Sequence, residues 1–177
     1  MSLEILRRLD ARGTAWLRGL LPASRATRAA LAVIAHSGDS LVLVPLLALL
    51  WWLEGFAPGS LAVPLAAAFL LSVVLTTLVK YLVRRRRPKG EWGAMYRRTD
   101  PHSFPSGHAS RTAALTVVAL ARGLPLPGLL LAVWALLVGF ARVALGVHYL
   151  LDVLAGWLLG LAIGAGVALW LLHGLPW

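Results

Sequence analysis

The chain contains no cysteine, so neither a disulfide framework nor a thiolate metal site holds it together. Acidic residues are nearly as scarce. Seven Asp and Glu stand against 17 Lys and Arg, and the seven are scattered along the sequence. Two-metal phosphoryl-transfer centres need clustered carboxylates, so this inventory points away from them and from any bound metal or cofactor. Charged residues make up only 14% of the chain, where soluble domains carry about a quarter. Apolar residues fill the difference: 59% of the chain is hydrophobic and its mean hydropathy is +0.79. That combination describes an integral membrane protein with the length of one domain. The formal net charge is +10, and 15 of the 17 basic residues are Arg. These charges flank apolar runs, so the expected partners are the bilayer and a phosphate-bearing lipid, not nucleic acid. No cleavable signal peptide is expected, because MSLEILRRLD carries acidic residues and lacks a separate apolar core.

The apolar runs set the fold class. Residues 2–22 mix Leu, Ile and Trp with Arg7, Arg8, Arg12 and Arg18. Leu3, Leu6, Leu9, Trp16, Leu17 and Leu20 suit one face of an amphipathic helix lying at the interface. Residues 26–35 are apolar but too short to span alone, and HSGDS, residues 36–40, breaks the run. Five candidate spans follow: Leu41 to Trp52, Leu61 to Val83, Pro105 to Ala121, Pro127 to Leu145, and His148 to Leu172. The expected fold is an all-α membrane bundle of five transmembrane helices, or six if residues 1–36 cross as well. Residues 1–36 form the N-terminal interfacial segment and residues 37–177 the membrane-embedded domain.

Span parity then brings distant residues together. The second span ends, and the third begins, at the long polar loop 84–103, while the fourth ends and the fifth begins on that same face. Three clusters therefore meet there: KYLVRRRRP from Lys80, SFPSGH from Ser103, and RVALGVHYLLD from Arg142. HSGD joins them from the start of the first span. Lys80 lies a full turn inside an apolar stretch, where an ionisable group is costly unless it has a task. Pro-Ser-Gly-His starts a helix, with Ser103 as the expected N-cap and Pro105 in the first turn. Such an N-terminus points free N–H groups outward and suits phosphate. Gly107 lets an anion approach the backbone, Ser106 adds a hydroxyl, and His108 can protonate a leaving oxygen.

His148 and Asp152 sit four residues apart on one helical face, and Asp152 is the only acid in the last 77 positions. A carboxylate on one ring nitrogen would fix the tautomer and free the other nitrogen to attack. With Lys80, Arg87 and Arg142 available to neutralise phosphate oxygens, the expected chemistry is metal-independent phosphoryl transfer. Outside these clusters, Asp39 reads best as the cap of the first span, with His36 beside it. Tyr96, Asp100 and His102 read as a solvated loop.

Together the three clusters resemble the type 2 phosphatidic acid phosphatase superfamily, the integral-membrane lipid phosphatases related to vanadium haloperoxidases. The family pattern is K-x6-R-P, then P-S-G-H, then S-R-x5-H-x3-D. This chain reads KYLVRRRRP, PSGH and ARVALGVHYLLD, in that order. It departs once, with Ala141 where the family has Ser, so one hydroxyl contact to phosphate is missing.

The resemblance implies that His148 attacks phosphorus to form a phosphohistidine, Asp152 orients it, and His108 protonates the leaving group. Lys80, Arg87, Ser106, Gly107 and Arg142 hold the phosphoryl group. It further implies a multi-pass protein of a bacterial inner (plasma) membrane with its site on the outer face. The positive-inside tendency argues the other way, but catalytic arginines confound that count. Undecaprenyl diphosphate is the first expected substrate, ahead of phosphatidylglycerophosphate and phosphatidic acid. Transfer of the phosphoryl group to an acceptor alcohol is the alternative reaction. The haloperoxidase relatives are soluble, and this chain is not.

Overall fold

A computed structural model describes residues 3–20, 24–89 and 100–173. Tyr96, Arg97 and Arg98 fall outside the described residues. Among the described residues there are seven helices: α1 Leu3–Gly19, α2 Arg25–Ser37, α3 Ser40–Leu53, α4 Ala62–Val83, α5 Gly107–Ala121, α6 Pro125–Ala144 and α7 Leu150–His173. All five expected spans are helical. By length and hydropathy, α4, α6 and α7 can each cross a bilayer alone, and α2 with α3 qualifies as one span bent by 51°. Among the described residues there is no strand.

Helix α5 explains the architecture. Its 15 residues extend roughly 22 Å at ~1.5 Å per residue, short for a crossing. Eleven of them are buried, so α5 is a core post enclosed by longer helices. This is why it tolerates Ser110, Thr112 and Thr116 where α4, α6 and α7 expose leucine and valine. The hydroxyls of Thr112 and Thr116 bond to the carbonyls of His108 and Thr112, which satisfies them without solvent. Helices α3, α4, α5 and α7 share a core of Leu43, Leu65, Phe69, Leu115, Val118 and Ile163. On the outer surface Leu70, Leu78, Leu129, Leu136, Leu158 and Leu172 all stay exposed, the reverse of a soluble protein and the dress of a membrane protein.

Glycine sets how closely α7 approaches α5. A Cβ on Gly156 would stand 2.5 Å from the Ser106 carbonyl oxygen, and on Gly160 2.1 Å from that of Ser110. On Gly164 it would meet Val117 at 2.6 Å. Only a side chain of one hydrogen fits this seam, the small-residue packing that lets membrane helices touch backbone to backbone. The two helix N-termini are thereby locked together, and the Ser106 N–H donates to the Asp152 carbonyl at 2.8 Å.

The N-terminal helix is amphipathic in a different sense from the one expected. Ile5, Leu9, Trp16 and Leu20 form its exposed stripe, while Leu17 turns inward to pack beside Val143 and Val153. Its most buried side chains are polar, Asp10 and Thr14. Helix α2 packs Leu31, Ala32 and Ala35 against Ala141, Leu145 and Val147.

Candidate active site

The C-terminus of α4, the N-terminus of α5, the C-terminus of α6, the N-terminus of α7 and the break between α2 and α3 meet at one end of the bundle. Every cluster singled out in the sequence contributes there. Helix α4 stops at Arg84, whose left-handed backbone (φ 51°) turns the chain back over the bundle end. The next residues run extended, and Arg86 pairs with His102 in an isolated antiparallel bridge. That turn buries Arg87, whose Nη1 donates to the Val147 carbonyl at 3.0 Å and to Nε2 of His148 at 3.1 Å.

The contact with Arg87 assigns the tautomer of His148. A guanidinium only donates, so Nε2 of a neutral His148 carries the lone pair and Nδ1 the proton. Nδ1 faces Oδ2 of Asp152 at 3.5 Å, within electrostatic reach but longer than a hydrogen bond of normal strength. Asp152 is occupied elsewhere: Oδ1 accepts from Arg85 at 2.8 Å and Oδ2 from the Tyr149 N–H at 2.9 Å. His148 lies between the spanning helices α6 and α7, fully enclosed. Burial, followed by the charges of Arg87, Arg142 and Lys80, pushes its pKa well below the ordinary imidazole value. It is therefore a neutral base with an in-plane lone pair.

Lys80 projects from the last turns of α4 and pairs with Asp100. The same carboxylate accepts from Arg87 Nη2 at 2.8 Å, and the Asp100 carbonyl accepts from Arg87 Nε at 2.7 Å. Asp100 is thus a clamped anion between two cations, not part of the expected solvated loop. Arg142 is almost wholly buried, and its charge acts on Lys80, His108 and His148 alike.

One expected cap lies elsewhere, and another holds its position without a side-chain cap bond. Helix α5 begins at Gly107 with Ser106 as N-cap, its hydroxyl accepting from the Ala109 N–H at 3.4 Å. Ser103 instead bonds back to the Arg85 and Arg86 carbonyls, because the strand-like return of residues 85–87 claims it. A Cβ on Gly107 would stand 3.3 Å from the Arg111 guanidinium and 3.4 Å from the Thr76 hydroxyl. Asp39 occupies the N-cap position of α3 but makes no side-chain cap bond. Its carboxylate bonds His108 Nε2 through one oxygen and His36 Nδ1 through the other, the latter at 2.7 Å. Two imidazoles outcompete the helix N–H groups for it.

Residues that the sequence did not single out complete the network. Asp10 accepts the Leu151 N–H at 2.8 Å and pairs with Arg85, while Thr14 accepts the Leu150 N–H at 3.0 Å. Helix α1 thus caps the helix that carries Asp152. Arg85 bridges Asp10 and Asp152, a role hidden in a run of four arginines whose ordinary reading is an interfacial anchor. All four aspartates of the chain meet at this end, scattered in sequence but not in space. Among the described residues, no three His, Cys, Asp or Glu side chains are disposed as a metal-binding group. Ala141 is fully buried against α2, its methyl in the cluster with Ala35 and Leu145. His173 ends α7, far along the chain from these groups.

The PAP2 superfamily pattern matches residues 61–174. A decaprenylphosphoryl-5-phosphoribose phosphatase of Mycobacterium tuberculosis is 44% identical over 102 residues, 56% of this chain and 55% of that protein. An undecaprenyl-diphosphatase of Sulfolobus acidocaldarius is 34% identical over 127 residues, 70% of this chain and 60% of that protein. The match therefore spans little more than half the length of these curated relatives. Among solved structures, a transmembrane PAP2-type phosphatidylglycerolphosphate phosphatase from Bacillus subtilis shares the fold. Its TM-score is 0.80 over 98% of this chain and 89% of its own, at 24% identity. Aquifex aeolicus LpxE gives a TM-score of 0.72 over 90% and 94%, at 26% identity.

Proposed function

The chain belongs to the PAP2 superfamily, and from that premise we propose that it is a metal-independent lipid phosphatase working through a phosphohistidine. The observation that carries this reading is the lone pair of His148, held by Arg87 at 3.1 Å within a ring of cations. A buried neutral imidazole beside Lys80, Arg87 and Arg142 suits attack on an anion whose oxygens those cations hold. Metal independence is supported by the donor set, since each aspartate at the site is already engaged by a cationic or imidazole partner.

The reaction runs in two displacements. An incoming phosphate displaces the Asp100 carboxylate from Lys80 and Arg87, and Arg87 turns from His148 to a phosphate oxygen. Nε2 of His148 then attacks phosphorus; a P–N bond forms as the bond to the leaving lipid oxygen breaks. His108 gives its proton to that oxygen. Asp152 and the Arg85 behind it balance the charge that His148 acquires. In the second step water loses a proton to His108 and attacks phosphorus, the P–N bond breaks, and inorganic phosphate leaves. Ser106 and the Gly107 N–H line the phosphoryl seat at the start of α5.

The relatives named for decaprenyl- and undecaprenyl-linked substrates favour a polyprenyl phosphate or diphosphate, with undecaprenyl diphosphate first. In this reading the protein sits in a bacterial inner membrane with its site on the outer face. Helix α1 rests at the interface, with the exposed stripe of Ile5, Leu9 and Trp16, continued by Leu20, toward lipid. Because the chain lacks cysteine, single cysteines introduced at Arg86 and Gly55 report sidedness by impermeant labelling without background.

The test is phosphate release in detergent micelles with EDTA present, from undecaprenyl diphosphate, phosphatidylglycerophosphate and phosphatidic acid. The native chain releases phosphate, and His148→Ala lowers release by at least about 10³-fold, the scale of losing a covalent nucleophile. Equal release by both removes His148 as nucleophile. A phosphorylated acceptor in place of free phosphate identifies a phosphotransferase.

A further inference from the structure

Helices α2 and α3 are separated by a two-residue break, Gly38 and Asp39, and that break points into the site. Oδ1 of Asp39 bonds Nε2 of His108, and Oδ2 bonds Nδ1 of His36 at 2.7 Å. Gly38 makes the approach possible, because a Cβ there would stand 3.3 Å from Cδ2 of the His108 ring. Arg111 reinforces the turn, donating from Nη1 to the Gly38 carbonyl at 3.3 Å and to the Ser40 hydroxyl at 2.8 Å. The line runs from a buried imidazole through the carboxylate to His36, whose side chain is 32% exposed.

We infer that Asp39 and His36 are positioning residues for the acid His108: Asp39 holds its ring and balances its charge, and His36 orients Asp39. This rests on the phosphatase reading above. An acid that serves a leaving oxygen must carry its proton before the reaction, as imidazolium. The charged groups facing His108 are Arg142 from α6, Arg111 from its own helix, and Asp39. Burial and two positive neighbours disfavour an imidazolium, and the directly bonded carboxylate is the one group that opposes them. With Nε2 committed to Asp39, Nδ1 is the nitrogen that delivers the proton. After delivery His108 is neutral, with its Nε2–H still donated to Asp39. In the second displacement, Nδ1 takes a proton from water and the imidazolium returns. No proton is gained or lost over the cycle beyond those of water and product.

The test compares two phosphate monoesters that differ in how much their leaving oxygen needs a proton: phosphatidic acid, an alkyl ester, and an alkyl-chain 4-nitrophenyl phosphate, an activated aryl ester. Asp39→Asn keeps the shape and removes the charge. It is expected to lower kcat on phosphatidic acid by about 10²-fold with KM little changed, the scale of general acid catalysis, and to leave the aryl ester within a few-fold of native. His36→Gln gives a smaller loss with the same leaving-group bias. Equal losses on both esters, or no loss on either, overturn the inference. If Asp39→Asn does not fold, His36→Gln carries the same comparison. A readout independent of turnover is the proton resonance of His108 Nε2–H in ring-labelled protein. It is expected strongly downfield in the native chain, retained in His148→Ala and moved upfield in Asp39→Asn; its absence from the native chain overturns the pairing. Full activity of His148→Ala would sink the phosphohistidine reading while leaving the His108–Asp39 pairing to stand or fall on its own resonance.

Discussion

Asp152 stands 3.5 Å from the ring of His148 and divides its oxygens between Arg85 and the Tyr149 N–H, whereas Asp39 bonds the ring of His108 directly. The residue types are the same and the construction differs, which fits the opposite needs of the two histidines in the proposed mechanism. A nucleophile needs a bare lone pair, so cations surround it and its carboxylate is held back and diluted. An acid needs a proton in hand, so its carboxylate is close and gives its other oxygen to a second imidazole. Position decides what an imidazole does, through the charges around it rather than through its own chemistry.

The largest expected effect removes both constructions at once. Gly160→Leu places side-chain atoms where even a Cβ would stand 2.1 Å from the Ser110 carbonyl, forcing α7 off α5. Thermal unfolding in detergent should show collapse of the fold or a loss beyond the usual 1–3 kcal/mol of overpacking, with phosphate release lost on every substrate. Asp152→Asn should cost about 10²-fold in kcat. Unlike Asp39→Asn, it should act equally on alkyl and aryl esters, because it serves the attack and not the departure. A leaving-group bias in Asp152→Asn would erase the distinction between the two pairs.

Arg85→Ala should cost less, about tenfold in kcat. It frees Oδ1 of Asp152 and breaks the tie to Asp10, yet lets Asp152 settle onto Nδ1 of His148. The smallest effect is on stability. The native His148 refuses a proton that the unfolded chain accepts near pH 6.5, so the unfolded state binds more protons below that value. Stability therefore falls as pH drops from about 7 toward 5, by about 1 kcal/mol per unit from this group. Melting temperatures at both pH values should show a shallower drop in His148→Gln than in the native chain.

How much of this was legible in the sequence follows from where the chemistry sits. Lys80, Arg87, His108, Arg142, His148 and Asp152 stand out because lipid-embedded sequence is otherwise so plain, and span parity puts them at one end. The helices of the bundle are equally plain, since α4, α6 and α7 are long apolar runs. Asp39 was harder. A residue just before a helix reads as a cap, and only the tertiary placement of two imidazoles redirects it. Asp100 reads as loop until the backbone turn at Arg84 brings Arg87 over it. Arg85 is indistinguishable from its three Arg neighbours without knowing which one turns inward. Asp10 and Thr14 carry no local signal at all, because their partners lie 141 and 136 residues away. Gly156, Gly160 and Gly164 do carry one, a spacing of four that marks a small-residue seam.

Those 141 and 136 residues have a consequence for how the protein comes into being. Helix α1 leaves the ribosome well before α7, and α1 supplies the groups that close the start of α7. Loop closure over most of the chain must precede any contact between them. In the proposed mechanism a nascent chain can hold the Lys80, Arg87 and His108 part of the phosphate seat, but it has neither nucleophile nor oriented carboxylate until His148 and Asp152 have been made. Lipid phosphates are present in the membrane throughout that time. On the proposed reading, the chain meets them first as a binder and becomes a catalyst only when α1 and α7 have found each other.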